Sequence, residues 1–539
     1  MVASVETLNQ LFLAELSALS GFAGRREAEG ALSLGTDDPD IRRLIEAMAF
    51  FSARTRAAAG SATVSAVRRI AAGTLDELLV PNPAAMMVEC VVKDAPPQMV
   101  LLPRGTLLRA TTAGGKVGLF STTRPQPILP FEIESAKLVD EKRRLYVLLR
   151  ISAKRECAEH VSIPLYVRRL DDYRASLTLL DAMQRHLSRA FVTTSADAPE
   201  TACRVSFGAP RTVSPEDGDD RGPLARIRSF FHLPEQELFL QVDIPKLRKP
   251  WSTIDLYIEL DEGFPTSLSV SNDTFRLNVV PAENVWVDFA EPILWDGTKT
   301  SAPVRSPNPV LESVLPIAVR GVFRSSDKGL APVLPAALAQ GGDTYEVLEG
   351  DDMRVALSLD GVFEKPVKVL VESIFSQPEV WSAPPGRLKL SLQTRFLPGL
   401  EFLPMGAIKA PTESVLSRDP ARSLDVLSLR MRPTLGRRDL VGMLDILGTA
   451  ADGPYRGFAT LVDELTSREA HDPERRASGI RRVYKLAVRQ RNVEEAPLLR
   501  RFAEQIALLL DAWTEDPVDV ETTTHPAPAA RSLSGGTAG

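Results

Sequence analysis

Residues 237–244 read ELFLQVDI, residues 254–260 read IDLYIEL, and residues 144–151 and 387–393 read RLYVLLRI and RLKLSLQ. Their apolar side chains alternate with polar ones or run together between Pro and Gly punctuation, which is the signature of half-buried and fully buried β-strands. From Met86 onward the dominant period is two, so the middle of the chain is β-rich. Within it one helix opens at Asp171 or Asp172 and carries Leu177, Leu180, Met183, Leu187 and Phe191 down one side. Prolines crowd residues 301–336, where SAPVRSPNPV and APVLPAALAQ read as an ordered connector or an edge segment rather than a central strand.

Both flanks of this middle are helical. Leu8, Leu11, Phe12, Leu16 and Leu19 recur at helical spacing. Asp38 as N-cap with Pro39 at the first helical position announces a second helix, whose stripe is Ile41, Leu44, Ile45, Met48 and Phe51. Burying five such side chains contributes roughly 8–15 kcal/mol, so the stripe is expected to pack on something. A third helical stretch, Val64 to Leu79, is interrupted at Gly73 and stopped by Pro81-Asn82-Pro83. Toward the C-terminus, Arg437 to Leu447 and Leu498 to Trp513 read as helices. Residues 515–539, rich in Pro, Thr, Ser and Gly, read as a disordered tail.

The expected fold is therefore α+β and multidomain: a helical N-terminal region, several β-rich modules and a short helical C-terminal region. The expected division is a helical bundle region at 1–83, a β-rich domain with one helix at 84–210, a second β-rich domain at 211–340, an α+β domain at 341–514, and the tail. A length of 539 residues is in keeping with several domains.

Composition limits the function. With 44% apolar and 25% charged residues the chain can bury a large core, and 64 basic against 70 acidic side chains leave a net charge of −6. That balance does not suit a protein living on nucleic acid. Cys90, Cys157 and Cys203 form no CxxC pair, which fits a reducing cytoplasm. The N-terminal residues lack the cationic segment of a signal peptide, and no uncharged apolar run reaches membrane-spanning length, so any membrane contact is expected through a partner.

No GxSxG, HExxH, Walker or GxGxxG pattern is present, and the histidines at 160, 186, 232, 471 and 525 never fall one helical turn apart. Catalytic, cofactor-binding and metal residues are thus expected to be none. Gly114-Gly115-Lys116 reads as a hairpin turn. Residues 216–220 (EDGDD) read as a solvated loop rather than a calcium site. Glu235 and Glu237, two apart at the start of an expected strand, could serve a glycosidase, but charged strand ends without a catalytic role are commoner. Seven basic residues between Arg475 and Arg491, with no acidic one among them, could hold a phosphate backbone or face a partner.

Three blocks carry a resemblance. DDPDIRRLIEAMAFFSARTR (37–56) leads to LLVPNPAAMMVEC (78–90); LARIRSFFHLPEQELFLQVD spans 224–243; NDTFRLNVVPAENVWVDFAEPI spans 272–293. In this order they resemble the TssF family, also called VasA or ImpG, a baseplate component of the type VI secretion system. PLYVRRLDDY (164–173) and LKLSLQTRFLP (388–398) are weaker echoes of it. Trp286 stands where the family often has leucine or phenylalanine, and the helix ending at Trp513 reads as running straight into the tail, where family members carry a further strand-rich segment. The resemblance implies a cytoplasmic structural subunit docked at the inner membrane. Its implied partners are TssG, a second copy of itself, TssE, TssK and the VgrG spike, beneath a contractile sheath, with no nucleic acid. Within the blocks, Phe230, Phe231, Leu238 and Phe239 read as core, and Pro281 and Pro292 as turn residues. A baseplate wedge protein of a phage tail or other contractile injection system is the nearest alternative; a nucleic-acid-binding protein and a carbohydrate-active enzyme are remote ones. The expected partner surface is the stripe Leu8, Leu11, Phe12 and Leu16, which could instead close this chain's own bundle.

Overall fold

A computed structural model describes residues 5–28, 38–72, 74–94, 100–141, 144–195, 198–210, 221–327, 329–339, 341–348, 352–362, 364–382, 387–393, 397, 399–471, 480–514 and 516–526. The acidic loop 216–220 and the basic residues Arg475 and Arg476 lie outside them.

Helices α1 (Val5–Ala28) and α2 (Pro39–Ala72) pack side by side as an N-terminal arm. The start of α2 follows its sequence signal: the Asp38 carboxylate accepts from the Asp40 N–H, and Pro39 occupies the first position, where its missing donor costs nothing. After a break, the single turn α3 (Asp76–Leu79) leads into the body.

Three sheets build the body. A closed six-stranded barrel runs in the order 85–92, 279–283, 117–122, 107–112, 388–392 and 400–409. Its strands come from widely separated parts of the chain, so closure depends on pairings such as Met87 with Pro281 and Cys90 with Phe402. Met86, Val88, Cys90, Phe120, Val280 and Trp381 fill it. Trp381 lies so close to the strand 117–122 that a Cβ on Gly118 would meet its ring at 2.4 Å, which restricts that position to glycine.

The second sheet has eight strands, with 254–260 and 144–151 paired with each other and 144–151 lying beside the edge strand 131–141. Helices α4 (Tyr173–His186) and α5 (Pro223–His232) pack with it into the largest core. The C-terminal helices α6 (Val415–Arg418), α7 (Pro420–Arg430), α8 (Arg437–Leu444) and α9 (Ala496–Trp513) follow in the chain. An aromatic knot of Phe230, Phe231, Tyr455, Phe458 and Phe502, with neighbouring ring centroids 5.2–5.6 Å apart, joins α5 to α9. The core reading of Phe230, Phe231, Leu238 and Phe239 therefore holds; all four are buried.

The third sheet is built from strands between Val285 and Ser376 in the order 285–289, 367–376, 315–326, 329–335, 344–348, 354–358 and 302–303. A three-stranded sheet of 462–471, 480–490 and 518–526 completes the chain. The helical flanks and β-rich centre are as the sequence predicts, and the fold is α+β.

Several local expectations are corrected. The helix at 173 ends at His186, and Leu187 and Phe191 belong to a strand, 187–193, drawn out of the helical pattern by its pairing with 255–260. In the proline-dense region, SAPVRSPNPV supplies the edge strand Ala302–Pro303, as expected, whereas APVLPAALAQ begins within the interior strand Gly329–Pro335, laddered to 322–326 on one side and paired with Thr344 and Tyr345 on the other. Pro281 sits within a barrel strand rather than a turn. Its carbonyl accepts from Thr123 N at 3.0 Å on the side that strand 117–122 reaches only from Ala282, so its absent N–H removes no ladder bond. The expected tail at 515–539 begins instead with the strand Val518–Pro526, parallel to 482–490, while residues 527–539 lie outside the described ones.

Candidate interaction surfaces

The arm presents two different apolar stripes. Leu8, Leu11, Phe12 and Leu16 are half-buried on α1, which packs along α2. Opposite them α2 buries Ala49 and Ala53, and Glu15 accepts from Ser52 at 2.9 Å and from Arg56 at 2.8 Å. The second stripe faces outward. Leu44, Met48 and Phe51, from the stripe expected to be buried, are 61%, 53% and 66% exposed. Together with half-buried Ile41 and exposed Thr55, Ala58 and Ala62, they step along α2 in alternating threes and fours, the spacing of a coiled-coil seam. Side chains shrink from Ile, Leu, Met and Phe at one end to Thr and Ala at the other, so a partner helix can approach most closely toward the C-terminal half.

The arm's root is clamped from two distant parts of the chain. Glu77 receives the Ala225 N–H at 3.1 Å, seating a carboxylate on the positive N-terminus of α5. Returning along α5, the buried Arg228 guanidinium donates to the carbonyls of Glu77 and Val80. Burial pushes it down to about 10, still charged at neutral pH. From the other side Ser414 Oγ donates to Leu78 O, and Asn82 and Thr412 exchange backbone bonds of 2.8 and 3.0 Å.

His232 completes the root, its Nε2 lying 2.8 Å from Pro83 O. A carbonyl can only accept, so the neutral ring carries its proton on Nε2. Burial holds this imidazole below the usual histidine range; the bond to Pro83 and nearby Glu283 oppose that, and Lys409 and Arg228 reinforce it. Because the folded-state value is lowered, the stability this group contributes is fully present above the unfolded value of about 6.5 and is lost as pH falls through the folded value. Stability is therefore expected to decline below about pH 6, and His232→Gln to flatten that decline in thermal melts across pH 4.5–7.5. An unchanged slope would contradict it.

The charged features of the sequence are held in structural pairings. On the strand 480–490, Arg482 pairs with Asp516 and Glu469, Arg481 with Asp519, Lys485 with Glu521 and Arg489 with Asp463. Four of the basic residues of this run thus have acidic partners, while Arg491 is exposed. Glu235 and Glu237 lie in a 3₁₀ turn, not a strand. Glu235 pairs with Lys409 at 2.9 Å and Glu237 accepts from Ala209 N at 3.0 Å. Gly114 and Gly115 form the hairpin turn between 107–112 and 117–122, with Gly115 at φ +82°. Among the described residues no group of His, Cys, Asp or Glu is placed to hold a metal, and no helix is long and apolar enough to cross a membrane.

Two features were missed in the sequence. Asn278, at φ +54°, both donates to and accepts from the backbone of Leu129. Asn284, fully buried, bridges the barrel to the third sheet. Both lie in the block 272–293, and only their position next to strand ends hinted at them.

Fold and surfaces together define a multi-sheet structural protein that carries an outward-facing apolar helical arm. The model of the type VI secretion system family TssF matches residues 23–340, more than half of the chain. The chain belongs to this family and is a structural subunit of the type VI secretion baseplate. In fold it is similar to a chain of the type VI TssK-TssF-TssG baseplate subcomplex, with TM-score 0.70 and 16% identity over 90% of this chain and 96% of that one. It is likewise similar to a chain of the type VI baseplate complex, with TM-score 0.59 and 16% identity over 95% and 97%. No curated protein matches the sequence.

Proposed function

We propose that this chain is a wedge subunit that acts by holding other baseplate proteins in place and turns over no substrate. TssG and TssK, named with TssF in the subcomplex whose fold it shares, are its nearest partners. A second copy, TssE and VgrG complete the wedge, which sits at the cytoplasmic face of the inner membrane beneath the sheath. The observation that carries this reading is the outward seam on α2. Covering Leu44, Met48 and Phe51 contributes roughly 5–9 kcal/mol before the costs of association. Leu8, Leu11, Phe12 and Leu16 then serve as the inner face of the hairpin, positioning α2 rather than touching a partner.

Co-expression with TssG tests it. Replacing Leu44, Met48 and Phe51 together with aspartate is expected to abolish co-purification while leaving the thermal transition unchanged. Replacing Leu11 and Phe12 with aspartate is expected to lower the melting temperature instead. Retention of TssG by the triple variant, measured as complex mass after size exclusion, would remove the seam from the interface.

A further inference from the structure

The strand Leu315–Ser326 has an unusual pair of edges. Along one side, Leu315–Arg324 is laddered to 367–376. Along the other, the next strand covers only Val322–Ser326, so no described strand pairs with the seven residues Leu315–Gly321. Register slips between Pro316 and Ala318 and between Val319 and Gly321 turn this stretch out of the regular pleat. Its backbone polar groups on that side face no described strand, and most of the stretch is half-exposed.

A cleft of about 710 Å³ runs along this bare edge. Its facing walls are the arm root at Pro81–Pro83, the loop and turn at Pro411–Ser417, and the segment Pro303–Ser306. Five residues of extended chain span ~16 Å, which fits within the unpaired stretch. A small-molecule site would need convergent side-chain donors; here the groups without a described strand partner are main-chain amides and carbonyls. Asp76, Asp352 and Glu413 on the walls outnumber Arg305, giving the cleft a net negative charge.

We infer that this cleft is a strand-addition groove, taking a short extended segment of another protein chain that carries alternating apolar side chains and a basic residue. Main-chain bonds to 315–320 give such a segment its affinity, and the apolar floor and acidic rim set its sequence. The groove touches the arm root, so its occupant also contacts the element that aims α2.

Titration of the full chain with the fluorescein-labelled hexapeptide KVTVTV, followed by anisotropy, tests the inference. Saturable binding is expected, weakened at least tenfold by Ser417→Trp, which fills the groove, and by Asp352→Lys, which reverses the rim charge. The same peptide methylated on alternate backbone nitrogens is expected to bind at least tenfold more weakly, because strand pairing is lost while side chains are kept. Should Ser417→Trp fail to fold, Asp352→Lys and the methylated peptide decide. No saturation by roughly 1 mM, or equal binding of the methylated peptide, would overturn the groove.

Discussion

Asn284→Leu, which keeps the branching of the side chain but none of its hydrogen bonds, is expected to destabilise the protein by about 3–5 kcal/mol. Asn284 is fully buried between the barrel and the third sheet. Its Nδ2 donates to Leu119 O at 2.6 Å, and its Oδ1 accepts from Gln377 N at 2.7 Å and from Ser376 Oγ at 3.2 Å. Gln377, also fully buried, closes the circuit: its Oε1 accepts from Leu119 N and its Nε2 donates to Val117 O and Glu312 O. Leucine fills the space but leaves a carbonyl and an amide buried without partners, each costing about 1–3 kcal/mol. The measurement is the urea midpoint of the transition followed by tryptophan fluorescence, since Trp286 and Trp381 flank the junction. A loss below about 1 kcal/mol would show that the two sheets are held by apolar contact alone.

The same residue shows where sequence reading stops. Local signals were legible when the physics was local: Asp38 and Pro39 opened α2, and Leu498 to Trp513 presented one apolar face, which α9 buries. Asn284 reaches Leu119 and Gln377, more than ninety residues away in either direction, and such bonds leave no periodicity to read. The strand 518–526 escaped for a related reason. Residues 521–526 are exposed, so its Thr-rich sequence has no apolar alternation, and only the ladder to 482–490 makes it a strand. The seam on α2 was half legible. Its apolar spacing was plain, but periodicity cannot tell whether the cover comes from the same chain or another; only the exposure of Leu44, Met48 and Phe51 does. Within the blocks that carry the resemblance, several residues lie at junctions: Phe230 and Phe231 in the aromatic knot, Asn278 and Asn284 between sheets.

Arg228→Met is expected to cost about 3 kcal/mol and to abolish TssG binding without touching the seam. Methionine keeps the apolar stem of the arginine but removes the donor that satisfies Glu77 O and Val80 O, leaving two half-buried carbonyls without it. Glu77, whose carboxylate caps α5 from the same turn, loses its reciprocal partner in the clamp. The functional consequence follows from leverage. With 34 residues, α2 is about 51 Å long, so ten degrees of slack at the root sweeps its far end through about 9 Å, nearly a helix diameter. A seam of three large side chains cannot keep its register with a partner under such a displacement, because each knob must meet its own hole. Hydrogen exchange should accordingly show lost protection of the amides at 75–80, with α9 unchanged, alongside the loss of TssG in co-purification. If exchange at the root rises while TssG binding persists, the arm is aimed by its partners rather than by the clamp, and the body's role in setting wedge geometry falls.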